Sequence, residues 1–107
     1  MGIGIKTIIK RDGQIVPYDR SRITNAIFKA AASTGSFGFE VADALSRLVE
    51  LRTAESYADQ IPTVEDLQDI VEAVLMEKGH IKTARSYIIY RQKRTEVREA
   101  RRGAVEA

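Results

Sequence analysis

The chain has no cysteine. That absence excludes disulfides, a zinc site built on thiolates and any thiol redox couple. Its single histidine, His80, has neither a second histidine nor a cysteine to join it, which leaves too few ligands for a transition-metal centre. No glycine-rich run ends in Gly-Lys-Ser or Gly-Lys-Thr, so a Walker loop is excluded. Gly2-Ile3-Gly4 lacks the third glycine and the preceding strand of a dinucleotide fingerprint. No apolar run is long enough to span a bilayer, and the expected location is the cytoplasm. Charge of one sign is also scarce: the net charge is +2 at a pI near 9.0, without the broad basic field of a tight nucleic-acid binder. No nucleophile, base and orienter stand together in the pattern, so no catalytic residues are assigned. At 107 residues the chain is one small domain with a single core.

The residues that are present speak most clearly from Thr7 to Ile23. Thr7, Ile8 and Ile9 precede an Asp12-Gly13 pair, and Ile15 and Val16 follow it, which predicts a β-hairpin whose turn needs a positive φ at Gly13. Asp19 is then a good helix N-cap, with Tyr18 and Ile23 at the two positions of a hydrophobic staple. Apolar residues recur at Ile23, Ala26, Ile27, Ala30 and Ala31, the period of an amphipathic helix that ends near Gly35. A hairpin packed over that helix start would offer an anion Lys10, Arg11 and Arg22, together with free N–H groups at the positive end of a helix dipole. Turn composition alone is equally satisfied by a solvated, charged hairpin tip.

Past Ser33-Thr34-Gly35-Ser36, a second helix is expected from about Glu40, with Val41, Ala44, Leu45 and Leu48 as its apolar face and Leu51 close by. Between Tyr57 and Ile61 a short third strand and a merely extended connection are both open. Thr63 with Asp66 three residues on predicts a capped third helix with Leu67, Ile70, Val71, Val74 and Leu75 inside, closed by Lys78-Gly79. A fourth helix starts near Ile81 with Ala84, Tyr87 and Ile88 facing inward, and its pattern decays after Tyr90. The fold class is therefore α+β and mostly helical, an N-terminal hairpin acting as a lid on a bundle of about four helices.

Two stretches carry a family resemblance. Ile8-Ile9-Lys10-Arg11-Asp12-Gly13, Val16-Pro17-Tyr18-Asp19, Ser21-Arg22-Ile23, Ala26-Ile27 and Ala30-Ala31 resemble the opening of the ATP-cone, the regulatory nucleotide-binding domain at the N-terminus of many ribonucleotide reductases and in the repressor of their genes. Ala84-Arg85-Ser86-Tyr87-Ile88 followed by Tyr90-Arg91-Gln92-Lys93-Arg94 resembles its closing helix, most like the versions in anaerobic and other triphosphate-type reductases. The resemblance covers residues 5 to 95, and we divide the chain into a cone at 1–95 and a basic extension or linker at 96–107. It implies a non-catalytic allosteric module that binds ATP or dATP, with magnesium on the phosphates. The implied partner is a reductase catalytic or radical-generating subunit, and the implied response is nucleotide-dependent homo-oligomerisation. A chain this short without cysteine carries neither the reductase's catalytic barrel and thiols nor the repressor's zinc ribbon.

Carried over residue by residue, Lys10 and Arg11 match the phosphate ligands of the turn. Arg22 matches a helix lysine on the phosphates, and Lys93 a basic residue of the last helix. Arginine in place of lysine keeps the charge and adds a planar fork. Ile8, Val16 and Ile23 match residues that line the base. Asp19 and Thr63 match polar positions near base and sugar, although plain N-capping also explains both. Tyr87 and Tyr90 suit either the core or a base stack. The acidic residues Glu65, Asp66, Asp69 and Glu72 suit helix solvation and capping better than acid–base chemistry.

Arg91, Lys93, Arg94, Arg98, Arg101 and Arg102 crowd the C-terminal end against Glu96 and Glu99. At spacings of three and four, Arg91, Arg94, Arg98 and Arg101 form one stripe on a continuous helix. Three readings compete: a solvated extension with local glutamate pairing, a linker to a reductase body, and a nucleic-acid surface that would make the protein a nucleotide-sensing regulator.

Overall fold

A computed structural model describes residues 5–106, with side chains up to Arg101. Gly2, Ile3 and Gly4, and the side chain of Arg102, lie outside the described residues. The order is β1 (Thr7–Ile9), β2 (Ile15–Pro17), α1 (Arg20–Thr34), α2 (Phe39–Ser56), α3 (Val64–Glu77) and α4 (Ile81–Glu106). This is the expected mostly helical α+β domain.

β1 and β2 pair antiparallel with Ile8 opposite Val16. The turn between them is closed by the Gly13 N–H donating to the Lys10 carbonyl at 2.9 Å and the Lys10 N–H donating to the Gln14 carbonyl at 2.8 Å. Gly13 takes φ +89°, a conformation that a side chain would strain, which is why the Asp-Gly pair predicts the turn. The helices close a ring: α1 packs on α2 and α4, and α3 packs on α2 and α4. Ile27, Val49, Val71, Val74 and Leu75 fill the centre, and Ile8 pins the hairpin to the same core.

Helix ends follow the sequence signals. Asp19 caps α1, its carboxylate accepting from the Ser21 N–H at 3.0 Å. Thr63 and Asp66 form a full capping box on α3. At the other end of α3, Gly79 at φ +82° lets the His80 N–H reach the Leu75 carbonyl at 2.9 Å. His80 then lies edge-on to Phe37, ring centroids 4.7 Å apart, as a packing residue.

Two expectations need correction, and one open alternative is decided. The buried face of α2 is Ala42, Leu45, Ser46, Val49 and Thr53, while Val41, Ala44 and Leu51 are exposed and Leu48 half-buried. Counting aliphatics misplaced the face because polar residues bring their own partners inside. The Thr24 hydroxyl donates to Ser46 Oγ at 2.7 Å, Ser46 donates to the Asp43 carbonyl, and Thr53 to the Val49 carbonyl. On α4 the same effect buries Thr83 and leaves Ile88 exposed. Third, α2 runs to Ser56, and no strand lies between Tyr57 and Ile61. β1 instead gains a single parallel bridge, Ile9 to Thr63, with the Ile9 N–H donating to the Pro62 carbonyl at 3.0 Å. No described helix is long and apolar enough to cross a membrane.

Candidate functional site

The hairpin does not lie flat on the bundle. It arches from the start of α1 toward α3 and α4, and beneath it is a cavity of about 780 Å³. Ile8, Lys10, Arg11, Val16 and Pro17 of the hairpin form its roof, and Tyr18, Asp19, Arg22, Ile23, Asn25, Ala26 and Lys29 its α1 wall. Val64, Leu67, Gln68 and Val71 come from α3; Tyr87, Tyr90, Arg91, Arg94, Thr95 and Arg98 come from α4. None of the lining residues belongs to α2.

Of the nine residues expected at the site, the structure brings seven together: Ile8, Lys10, Arg11, Val16, Asp19, Arg22 and Ile23. Thr63 stands outside the lining and spends its side chain on the Asp66 N–H at 3.0 Å. Lys93 is exposed and outside it too, because helical rotation turns Arg91, Arg94 and Arg98 toward the cavity and position 93 away. Those three arginines line the cavity without having been expected there. Their spacing was visible as a stripe, but nothing in the sequence said which face of the bundle it would meet.

The electrostatics are lopsided. Seven cationic side chains line the cavity, namely Lys10, Arg11, Arg22, Lys29, Arg91, Arg94 and Arg98, against one lining carboxylate, Asp19. Arg91 is neutralised by Asp69 at 2.9 Å and Glu72 at 2.5 Å. Arg11 is engaged at both ends of its fork, its Nε on Glu65 at 2.7 Å and Nη2 donating to Thr95 Oγ1 at 2.9 Å, so the hairpin tip is clasped to α3 and α4. The other five have no carboxylate within salt-bridge distance among the described residues. Arg94 lies over the Tyr90 ring, 5.8 Å from its centroid, and donates to its hydroxyl at 3.1 Å.

Helix α1 adds to the imbalance. Its first turn holds Arg20 and Arg22 and no acid, cations at the positive end of the helix dipole, where an anion is the favoured neighbour. Its Ser21 and Arg22 N–H groups are already taken by Asp19, so an anion here would rely on side chains more than on a cradle of free amides. The Ser21 hydroxyl and N–H both donate to Asp19, holding its carboxyl below the usual carboxylate range and therefore ionised.

Gln68 belongs to the lining, and its buried Oε1 has no hydrogen-bond partner among the described residues; the buried Tyr18 hydroxyl lies beside the Glu50 carboxylate of α2. Burial, and then the nearby Glu50 carboxylate, push the Tyr18 hydroxyl well above its ordinary range, so it stays protonated. Among the described residues no three histidine, cysteine, aspartate or glutamate side chains gather to hold a metal ion. A magnesium ion does not fit the protein's own donors here, and would be carried by a ligand's phosphates. The arrangement thus suits a polyanion with a flat head: a surplus of cations and aliphatic surface share one cavity.

The comparisons with known proteins agree with that geometry. The chain is 40% identical over 100 residues to the vitamin B12-dependent ribonucleoside-diphosphate reductase of Thermoplasma acidophilum, covering 89% of this chain and 13% of that one. It is 40% identical over 92 residues to the corresponding Mycobacterium tuberculosis enzyme, covering 86% and 13%. It is 34% identical over 94 residues to the anaerobic ribonucleoside-triphosphate reductase of Salmonella typhimurium, covering 88% and 13%. It therefore spans about an eighth of the length of these relatives. A family model of the ATP cone domain matches residues 6–96, and with hairpin, cationic cavity and closing helix all in place, the chain belongs to the ATP cone family.

Proposed function

We propose that this domain is a non-catalytic sensor that binds ATP or dATP beneath its hairpin and reports the adenine-nucleotide state to a ribonucleotide reductase in the cytoplasm. The observation that carries the reading is the cavity's surplus of cations, five of them without a carboxylate partner among the described residues, roofed by the hairpin that holds Lys10 and Arg11. A fully ionised triphosphate carries about four negative charges, close to what that surplus can neutralise, and charge-assisted contacts of this kind are the strong ones. The adenine would occupy the apolar surface of Ile8, Val16 and Ile23. Magnesium, when present, would travel on the phosphates.

The output is a population shift. A nucleotide that favours one arrangement of cones, or of cone and partner subunit, moves the equilibrium only by its differential affinity for that arrangement. The partner is a reductase's catalytic or radical-generating subunit, and the readout is oligomeric state. The nucleic-acid reading of the basic stripe has less support, because Arg91 is neutralised and Arg94 and Arg98 turn into the cavity.

Isothermal titration of the chain with ATP, dATP and GTP in magnesium, with size-exclusion chromatography of the same samples, tests the proposal. Adenine-selective binding, with ATP and dATP giving different assemblies, is the expected result. Failure to bind any of the three, with steeply salt-dependent retention on DNA, would overturn it in favour of the stripe as a nucleic-acid surface.

A further inference from the structure

The family match stops at residue 96, yet the cavity does not: Arg98, two residues beyond, is part of its lining. α4 runs without a break through this point, and its residues 96–101 are all exposed, so no core packing holds this part of the helix. Local pairing does not hold it either. Neither Glu96 nor Glu99 forms a salt bridge among the described residues, and Arg94, Arg98 and Arg101 repeat a like charge at helical spacing, a pattern that weakens a helix. One turn before Arg98, on the same face, Thr95 receives the hairpin-tip residue Arg11 at 2.9 Å. The hairpin-tip cation and the start of the extension therefore meet on the lining of the cavity.

We infer that the extension belongs to the binding site: Arg98 is a ligand for the far end of a polyphosphate chain, and its engagement orders the α4 extension. The inference rests on the nucleotide reading above and adds to it a sensor of phosphate-chain length and a physical output. A polyanion bridging Arg11 and Arg98 relieves the repulsion along the stripe and stiffens the helix that leaves the domain. A monophosphate, seated at the apolar end, does not reach it.

The test uses the full chain and two substitutions, Arg98→Gln and, as a control of equal charge change outside the cavity lining, Arg101→Gln. Titration with ATP and AMP is paired with hydrogen exchange of amides 96–101. Arg98→Gln is expected to weaken ATP about tenfold, the loss of one charge-assisted hydrogen bond, and to leave AMP within about twofold. Arg101→Gln is expected to change neither. Saturating ATP should slow exchange at 96–101 in the unaltered chain and not in Arg98→Gln. Equal ATP affinities for the two variants, or unchanged exchange under saturating ATP, would overturn this inference while leaving the nucleotide reading standing. Absence of ATP binding by the unaltered chain would instead remove both.

Discussion

On one side of α1, toward α2, every buried polar side chain is matched: Thr24 to Ser46, Ser46 onward to the Asp43 carbonyl, Thr53 to Val49. On its other side, toward the hairpin, α3 and α4, cations outnumber carboxylates in the cavity lining. The same helix serves both faces, and the same sequence chemistry could have balanced both. Crowded like charges cost stability, and a polyanion is what would recover that cost. The matched face holds the domain together, and the unmatched face is the one proposed to take the ligand. Substitutions on the two sides should therefore separate stability from binding.

The largest effect belongs to the matched side. Ile27, fully buried at the centre, truncated to alanine should cost about 2–5 kcal/mol of unfolding free energy, read from urea denaturation without ligand. Next is Lys10→Glu on the unmatched side: at least about a hundredfold loss of ATP affinity, near 2.7 kcal/mol, from reversing one cation at the mouth, with an unchanged urea midpoint. If Lys10→Glu unfolds the domain, or leaves affinity intact, the division between the faces fails.

Much of this was legible before any coordinates, for reasons that differ by element. Gly13, Asp19, and the Thr63 and Asp66 pair act through backbone within a few residues, so local sequence determines them. The α2 face was misjudged because Ser46 and Thr53 look exposed until their partners, Thr24 across the helix pair and the Val49 carbonyl, are known. Seven of the expected residues, from the hairpin and the start of α1, line the cavity, and they are contiguous in sequence. That Arg91, Arg94 and Arg98 of α4 line it and Lys93 does not was not legible, because a stripe's direction depends on helix rotation in the bundle, a tertiary property that spacing does not encode.

A smaller pair of substitutions sharpens the comparison by sign. Ser46→Ala removes a matched buried hydroxyl and should cost about 1–2 kcal/mol. Gln68→Met, of similar volume, removes an unmatched buried oxygen and should leave the free domain as stable or up to about 1 kcal/mol more stable, while weakening ATP several-fold. Opposite signs in thermal melts, with loss of affinity only in Gln68→Met, are the expected outcome. Destabilisation by both would mean that Gln68 is held by contacts of its own rather than kept for a ligand.

The smallest effect lies where the two faces join, at the α3 cap. Asp66 is held below the usual carboxylate range, first by the Thr63 N–H that it accepts at 3.0 Å and then by the Thr63 hydroxyl. A depressed folded pKa means that the unfolded chain takes up its proton first as acid is added. The cap's contribution is therefore fully present above the unfolded value near 4, and is lost as pH falls through the lower folded value. Asp66→Asn should lower the melting temperature by about 2–4 °C at pH 7, and the gap to the unaltered chain should narrow as pH falls below about 4. Asp19 is depressed in the same direction by Ser21, so the Asp66→Asn chain should still lose stability with acid. A gap that persisted at low pH would show that Asp66 stabilises α3 by packing, and the cap would then belong with the matched face alone.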